Sequence, residues 1–94
     1  LPVPGKVPPT VFSKSMSQGS RGNYVTTLQQ FLAKDPTIYP EGLVTGYYGV
    51  LTQKAVQKFQ CKYNIVCGGT PSSTGYGAVG PKTREKLNVL YGQY

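Results

Sequence analysis

Three short segments of this sequence repeat apolar residues at intervals of three and four, and Gly or Pro residues separate them. This spacing predicts three amphipathic helices, because residues three and four apart share one face of a helix. We expect the first helix to begin near Ser20, a suitable N-cap, and to end before Pro36. The second should begin around Val50, and the third at Pro81, a favoured first helical position. The predicted apolar faces are Tyr24, Val25, Leu28, Phe31 and Leu32; Leu51, Ala55, Val56, Phe59 and Tyr63; and Leu87, Leu90 and Tyr91.

Gly, Ser and Thr fill the connections, and Pro dominates the N-terminal residues. The connection over residues 64–80 is long for a compact domain, and Ile65-Val66 could pair beside Leu43-Val44 as a short β-hairpin. Closely spaced Pro residues favour an extended path over residues 1–18. A chain of 94 residues makes one domain. We therefore predict an extended Pro-rich arm or linker over 1–18 and a compact, all-α three-helix bundle over 19–94.

A short motif precedes both the second and the third predicted helix. Thr45-Gly46-Tyr47 stands before the second helix, and Thr74-Gly75-Tyr76 stands before the third, with two extra residues in the second copy. Gly permits a sharp turn, and a Thr follows in the first turn of each helix, where free backbone N–H groups are exposed. The same device is therefore expected to open both helices, at a place where an anion can also dock.

Cys61 and Cys67 are the two cysteines of the chain. They have neither the C-x-x-C spacing nor the His residues of a metal site. A short structural disulfide is the favoured interpretation, because loop geometry at this spacing can bring the Cα atoms within ~6 Å. Two inert thiols and a reactive thiol are the alternatives. A disulfide would contribute about 2 kcal/mol and would place the protein outside the reducing cytoplasm.

The residues that most enzymes use are scarce here. The chain has no His, so no imidazole can serve as the base for a nucleophile. Asp35 and Glu41 fall in a Pro-rich connection and are interpreted as solvated charges, whereas Glu85 falls on the third helix. These acids do not suggest a paired-carboxylate site or a metal site, and no phosphate-binding glycine loop is present. We therefore predict a protein that is not an enzyme and uses no metal or cofactor.

The charge of the chain favours anionic partners. Ten Lys and Arg residues against three acids give a net charge of +7. Such a surface attracts nucleic acid, anionic wall polymers and free carboxylates alike. Lys54, Lys58 and Lys62 recur every four residues as a cationic stripe, which is interpreted first as a solvated face and second as an attraction to wall polymers. A membrane-spanning helix needs about 18 apolar residues in a row, and no apolar run in this sequence is that long.

Three motifs, in order, resemble the peptidoglycan-binding domain of bacterial wall hydrolases. They are Gly19-Ser20-Arg21-Gly22 with Val25, Leu28-Gln29 and Leu32; Gly46-Tyr47-Tyr48-Gly49 with Thr52, Ala55-Val56 and Phe59-Gln60; and Val79-Gly80-Pro81 with Thr83-Arg84 and Leu87-Asn88. The resemblance implies a three-helix bundle that binds peptidoglycan without cleaving it, outside the cytoplasm, at the cell wall or cell surface.

Peptidoglycan offers sugar rings and short peptides that end in carboxylates, so a binder needs a cation and flat apolar faces. Arg21 can hold a carboxylate with two parallel hydrogen bonds, although a surface ion pair is an equal alternative. Tyr47 and Tyr76 offer rings beside the helix starts, and each is as readily a surface contact as a structural one. Tyr48 is also a candidate, but a core position is favoured for it.

Polar residues at the two helix starts complete the candidate ligand-binding set. Thr52, Lys82 and Thr83 could add hydrogen-bond donors, although capping is the favoured role of the two threonines. Gln29 and Gln60 adjoin core positions and are expected to satisfy backbone groups of the loops rather than to touch ligand.

Two other functions remain open. One is a self-assembling extracellular subunit, a filament or surface layer, in which residues 1–18 contact a neighbouring copy. Whatever the role of this arm, Val11-Phe12 could attach its end to the domain. The eight Tyr residues suit interfaces, and the polar stretch 70–74 could carry O-linked sugars. The other is nucleic-acid binding, the least favoured partner, because the cations are dispersed and only two are Arg.

Overall fold

A computed structural model describes residues 12 and 14–91. Within them the chain forms α1 (Asn23–Leu32), α2 (Val50–Lys62) and α3 (Pro81–Tyr91), and no strand. The predicted all-α three-helix architecture is thus confirmed. The predicted pairing of Ile65-Val66 with Leu43-Val44 is wrong, because both segments are irregular loops. The described residues instead show two isolated antiparallel bridges, Met16 with Val79 and Arg21 with Tyr47.

Helix α1 begins later than its sequence suggests. The Ser20 hydroxyl accepts a hydrogen bond from the Ser17 backbone N–H at 3.1 Å and so belongs to a preceding turn. Gly22 is the N-cap residue and offers no side-chain bond. Its carbonyl oxygen accepts hydrogen bonds from the N–H groups of Val25 and Thr26, both at 3.1 Å. The preceding turn therefore delays the helix to Asn23.

One core connects all three helices and the segment before them. Its most buried large side chains include Phe12, Leu28, Leu32, Tyr48, Phe59 and Leu87. The prediction that Leu51 and Leu90 are buried is wrong, since they are 36% and 38% exposed. Thr52 and Gln60 instead lie on the buried side of α2 with Ala55, Val56 and Phe59. A polar network described below sets this rotation of the helix.

Part of the predicted N-terminal arm belongs to the domain. Residues 1–11 and 13 of that arm lie outside the described residues. Phe12 and Met16 are 1% and 2% exposed. The Phe12 N–H donates to Asn88 Oδ1 at 2.9 Å, and Asn88 Nδ2 donates to the Phe12 carbonyl at 3.2 Å. Met16 and Val79 exchange two backbone hydrogen bonds, of 3.1 and 2.7 Å. These contacts attach residues 12–16 to α3 and the loop before it.

The predicted disulfide between Cys61 and Cys67 is present, with Cα atoms 4.5 Å apart. It joins the last turn of α2 to the loop that follows. Asn64 adopts the left-handed conformation, with φ 60°, which reverses the chain after the helix. The Ile65 N–H then donates to the Gln60 carbonyl at 2.8 Å. The loop is therefore fixed at its start and closed by a covalent bond.

Asp35 is more than the solvated loop charge that was predicted. Its carboxylate pairs with Lys62 and accepts hydrogen bonds from the N–H and hydroxyl of Thr37. The Lys62 and Thr37 hydrogen bonds lower the pKa of Asp35 from 3.8 to about 2. The pair connects the end of α1 to the end of α2.

Candidate functional site

A buried glutamine on α1 organises the loop before α2. The Gln29 Oε1 atom accepts hydrogen bonds from the N–H groups of Thr45 and Gly46, at 2.8 and 2.9 Å. Its Nε2 atom donates to the Tyr47 carbonyl at 2.9 Å and to Thr52 Oγ1 at 3.0 Å. One side-chain amide therefore fixes both the loop and the rotation of α2 about its axis.

Gln60 on α2 does the same for the loop before α3. Its Nε2 atom donates to the carbonyls of Gly75 and Ala78, at 2.9 and 2.8 Å, and to Thr83 Oγ1 at 3.0 Å. Its Oε1 atom accepts a hydrogen bond from the Gly77 N–H at 2.8 Å. Both glutamines thus satisfy loop backbone groups, as expected from their positions beside the core.

The loops that lead into α2 and α3 are structural repeats without an insertion. Gln29 and Gln60 each lie 23 residues before the bonded threonine. Each also lies 17 residues before a bonded glycine N–H, those of Gly46 and Gly77. These two glycines have positive φ values, 80° and 94°. The predicted alignment of the two copies, with two extra residues in the second, is therefore wrong. It matched the two Thr-Gly-Tyr triplets to each other, whereas the structural repeat follows the spacing from Gln to Thr, which is also visible in the sequence.

Thr52 and Thr83 are 2% and 3% exposed. Their hydroxyls accept hydrogen bonds from Gln29 and Gln60 in the interior. Both threonines therefore lock a helix to the glutamine of the preceding one, a structural role like the capping role that was favoured for them, and their contribution to ligand binding stays a prediction.

Tyr48 is likewise a core residue rather than a ligand contact. Its side chain is 0% exposed, and its hydroxyl donates to the Gly77 carbonyl at 2.7 Å. Burial raises the pKa of its phenol well above the ordinary value. Tyr48 thereby joins the loop before α2 to the loop before α3.

Arg21 and Tyr47 come together on the surface. They form an isolated antiparallel bridge, and the Arg21 Cζ atom lies 4.8 Å from the centroid of the Tyr47 ring. Tyr47 is 42% exposed. The ring therefore orients the guanidinium by a cation–π contact and leaves it open to solvent.

An open cleft of about 210 Å³ adjoins this pair at the start of α2. Exposed apolar side chains dominate its outer lining: Leu43 is 52% exposed and Val50 is 54% exposed. Tyr47 belongs to both the Arg21 pair and the cleft. We name Arg21, Leu43, Tyr47, Val50 and Leu51 the α2-start surface. Leu43 and Val50 were not predicted as site residues, although their proximity to the Gly-Tyr motif was a usable signal.

Lys82 lies in a different place from the α2-start surface. It lines a second cleft, at the start of α3, with Ile65, Val66 and Thr74. Tyr76 is half-buried in the loop before α3, where its N–H donates to Thr74 Oγ1 at 3.4 Å. The structure therefore divides the predicted ligand-binding residues between the starts of two helices and the core.

The cationic stripe of α2 faces solvent. Lys54, Lys58 and Lys62 are all exposed, and Lys62 also pairs with Asp35. In residues 12 and 14–91, no three His, Cys, Asp or Glu side chains are grouped as metal ligands would be. Within the same residues, no helix has the length and apolar character needed to cross a membrane.

The profile of the peptidoglycan binding domain family matches residues 21–87. This match spans all of α1 and α2, the loops that lead into α2 and α3, and most of α3. The chain therefore belongs to the peptidoglycan binding domain family. Membership supports a cell-wall polymer as the partner. Comparisons with curated proteins and with solved structures gave no significant match.

Proposed function

We propose that this domain binds bacterial peptidoglycan, without cleaving it, through the α2-start surface. The observation that carries the proposal is the exposed Arg21–Tyr47 pair, which stands beside an open apolar cleft in a domain of this family. A guanidinium can hold a peptide carboxylate through two parallel hydrogen bonds. The Tyr47 ring and the apolar cleft can then contact a sugar face or an alanine methyl group.

The pair is prepared for binding before the ligand arrives. A backbone bridge holds Arg21 opposite Tyr47, and Gln29 accepts and donates hydrogen bonds that fix the loop carrying Tyr47. Little conformational entropy is then lost when a ligand orders these side chains, and preorganisation of this kind raises affinity.

The acids support a binding role rather than a catalytic one. The Asp35 carboxylate is committed to Lys62 and Thr37, and Glu41 and Glu85 are exposed on separate parts of the fold. Among the described residues, no acid lines the cleft of the α2-start surface. The chain also has no His. The Cys61–Cys67 disulfide supports a location outside the cytoplasm, where such bonds persist.

Co-sedimentation with insoluble peptidoglycan sacculi tests the proposal. The wild-type protein should pellet with sacculi at moderate salt and stay in solution without them. Arg21→Ala should weaken binding about tenfold, the effect of losing a hydrogen bond to a charged group. Tyr47→Ala should weaken it by a similar factor. Lys58→Ala removes one charge from an exposed position away from the cleft and serves as the matched control.

The other outcomes have distinct meanings. A wild-type protein that stays in solution with sacculi would contradict peptidoglycan binding. Equal losses for Arg21→Ala and Lys58→Ala would leave only non-specific attraction by charge. Pelleting without sacculi would favour the alternative, a self-assembling extracellular subunit in which the part of the N-terminal arm before Phe12 contacts a neighbouring copy.

A further inference from the structure

The cleft at the start of α3 is open to solvent and has a volume of about 450 Å³. It is lined by Ile65 and Val66 from the loop after α2, by Thr74 and Gly75 from the loop before α3, and by Lys82 in the first turn of α3. We name these five residues the α3 cleft. It does not share a lining residue with the cleft at the start of α2.

The Ile65–Val66 part of the lining is held in place from both ends. The Ile65 N–H donates to the Gln60 carbonyl at 2.8 Å, and the Cys61–Cys67 disulfide closes the loop around it. Ile65 also packs against the core. Both side chains nevertheless remain partly exposed, so they present apolar surface to the cavity.

The Thr74–Gly75 part of the lining is fixed by hydrogen bonds within its own loop. The Thr74 hydroxyl donates to the Gly68 carbonyl at 2.6 Å, and the Gly75 N–H donates to the Thr70 carbonyl at 3.1 Å. The Thr74 hydroxyl hydrogen is thus already used within the loop. Lys82 is the charged hydrogen-bond donor among the residues that line the cleft. A ligand that enters would find both parts of the lining already ordered.

The surroundings of Lys82 favour an anion. Lys82 also lines an adjoining recess with Lys86, Glu85, Asn64 and Val89. The charged side chains that line the two cavities are therefore two lysines and one glutamate. The Lys86 Nζ atom lies 5.2 Å from the centroid of the Tyr63 ring.

We propose that the α3 cleft is a second peptidoglycan subsite, which binds a carboxylate of a peptide stem through Lys82. Ile65 and Val66 contact the aliphatic part of that stem. The inference rests on the function proposed above and adds a second point of attachment to the same polymer.

The two subsites lie toward opposite ends of α2. The first adjoins residues Val50 and Leu51, and the second adjoins the loop that follows Lys62. A helix of 13 residues rises ~20 Å. Two subsites at such a separation can engage one polymer together, and the second contact then forms at a high effective concentration.

Lys82→Ala tests the second subsite. The probe is a preparation of sacculi from which covalently attached phosphodiester polymers have been removed. Lys82→Ala should weaken binding about tenfold, and Lys58→Ala should change it by less than about twofold. The double variant Arg21→Ala/Lys82→Ala should bind more weakly than either single variant. Lys82 is exposed, so the thermal unfolding midpoint of Lys82→Ala should match that of the wild type.

The results separate the two proposals. Suppose that the wild type pellets with sacculi, that Arg21→Ala binds them more weakly, and that Lys82→Ala binds them as well as Lys58→Ala does. The proposal of a second subsite is then overturned, and the first subsite remains. If Lys82→Ala matters only for sacculi that retain phosphodiester polymers, the carboxylate assignment is overturned. If the wild type does not pellet at all, the function itself fails.

Discussion

Both the oxygen and the nitrogen of the Gln29 side-chain amide form hydrogen bonds in the interior, and the loss of these bonds determines how much stability a substitution removes. Thr45, Gly46, Tyr47 and Thr52 all depend on it for hydrogen bonds. The side chain is only 1% exposed, so water cannot take its place without rearrangement. A buried polar group left without a partner costs about 1–3 kcal/mol.

We therefore expect Gln29→Ala to lower the free energy of unfolding by about 3 kcal/mol or more, measured by urea denaturation. Gln30→Ala is the control, since Gln30 is exposed on the same helix. Its effect should stay within about 0.5 kcal/mol. Equal effects of the two substitutions would show that the Gln29 network does not stabilise the fold.

The lowered pKa of Asp35 predicts that the stability of the protein depends on pH. Hydrogen bonds from Lys62 and Thr37 lower its pKa to about 2, below the ordinary 3.8. Between these values the unfolded chain binds more protons than the folded one, so stability rises with pH in this range. The contribution of Asp35 is complete above about pH 4 and is lost as the pH falls toward 2.

Thermal unfolding midpoints at pH 5, 4, 3 and 2 check this expectation. Asp35→Asn should unfold at lower temperature than the wild type at pH 5, and the two curves should converge toward pH 2. Glu41→Gln, at an exposed position, should run parallel to the wild type. A wild-type and an Asp35→Asn curve that also run parallel would mean that the pair with Lys62 adds no pH-dependent stability.

At the scale of elements, the loops that lead into α2 and α3 depend on glycines that turn the chain. Gly77 has φ 94°, a conformation that L side chains rarely adopt. A Cβ atom there would lie 3.0 Å from Gln53 Cγ and 3.2 Å from Gln57 Nε2. The Gln53 side chain would have to shift by a few tenths of an ångström, and the left-handed backbone adds strain, so Gly77→Ala should lose about 1–3 kcal/mol of stability.

Gly68→Ala is the matched control for this element. A Cβ atom at Gly68 would meet nothing within 4 Å, and its φ lies outside the left-handed range. Its urea midpoint should therefore stay close to that of the wild type. If Gly77→Ala behaved in the same way, the loop before α3 would not require its left-handed residue.

The elements themselves were largely predictable, and the contacts between them were not. Val50 and Pro81 start α2 and α3 as expected, because Gly and Pro mark those boundaries locally. The exposure of Leu51 was not predictable from apolar periodicity, since the Gln29–Thr52 hydrogen bond sets the rotation of α2. Polar partners distant in sequence leave no periodic signal.

The candidate site shows the same division. Arg21 and Tyr47 were each selected as candidates from the chemistry that peptidoglycan offers, and their ligand binding stays a prediction. Their contact follows from the bridge between two loops, which the order of the residues alone does not indicate. Tyr48 was expected to favour the core, but its hydrogen bond to Gly77 depends on how the loop before α2 packs against the loop before α3.

At the scale of the whole molecule, the N-terminal segment has two parts with different expected roles. Phe12 and Met16 are core residues, and Phe12 also packs edge-on against Phe31 with ring centroids 5.6 Å apart. Removing residues 1–18 would therefore damage the fold itself. Loss of one buried Phe side chain alone typically costs about 3–5 kcal/mol.

Truncation before Phe12 separates assembly by the arm from the stability of the domain. Deleting residues 1–11 should leave the unfolding midpoint and binding to sacculi close to those of the full chain, whereas deleting residues 1–18 should unfold the domain. Circular dichroism and sedimentation velocity measure folding and assembly. If the full chain forms large assemblies and the 1–11 deletion yields only folded monomers, the arm is the contact between copies. If both remain monomeric and bind sacculi equally, wall binding requires only the domain that begins at Phe12.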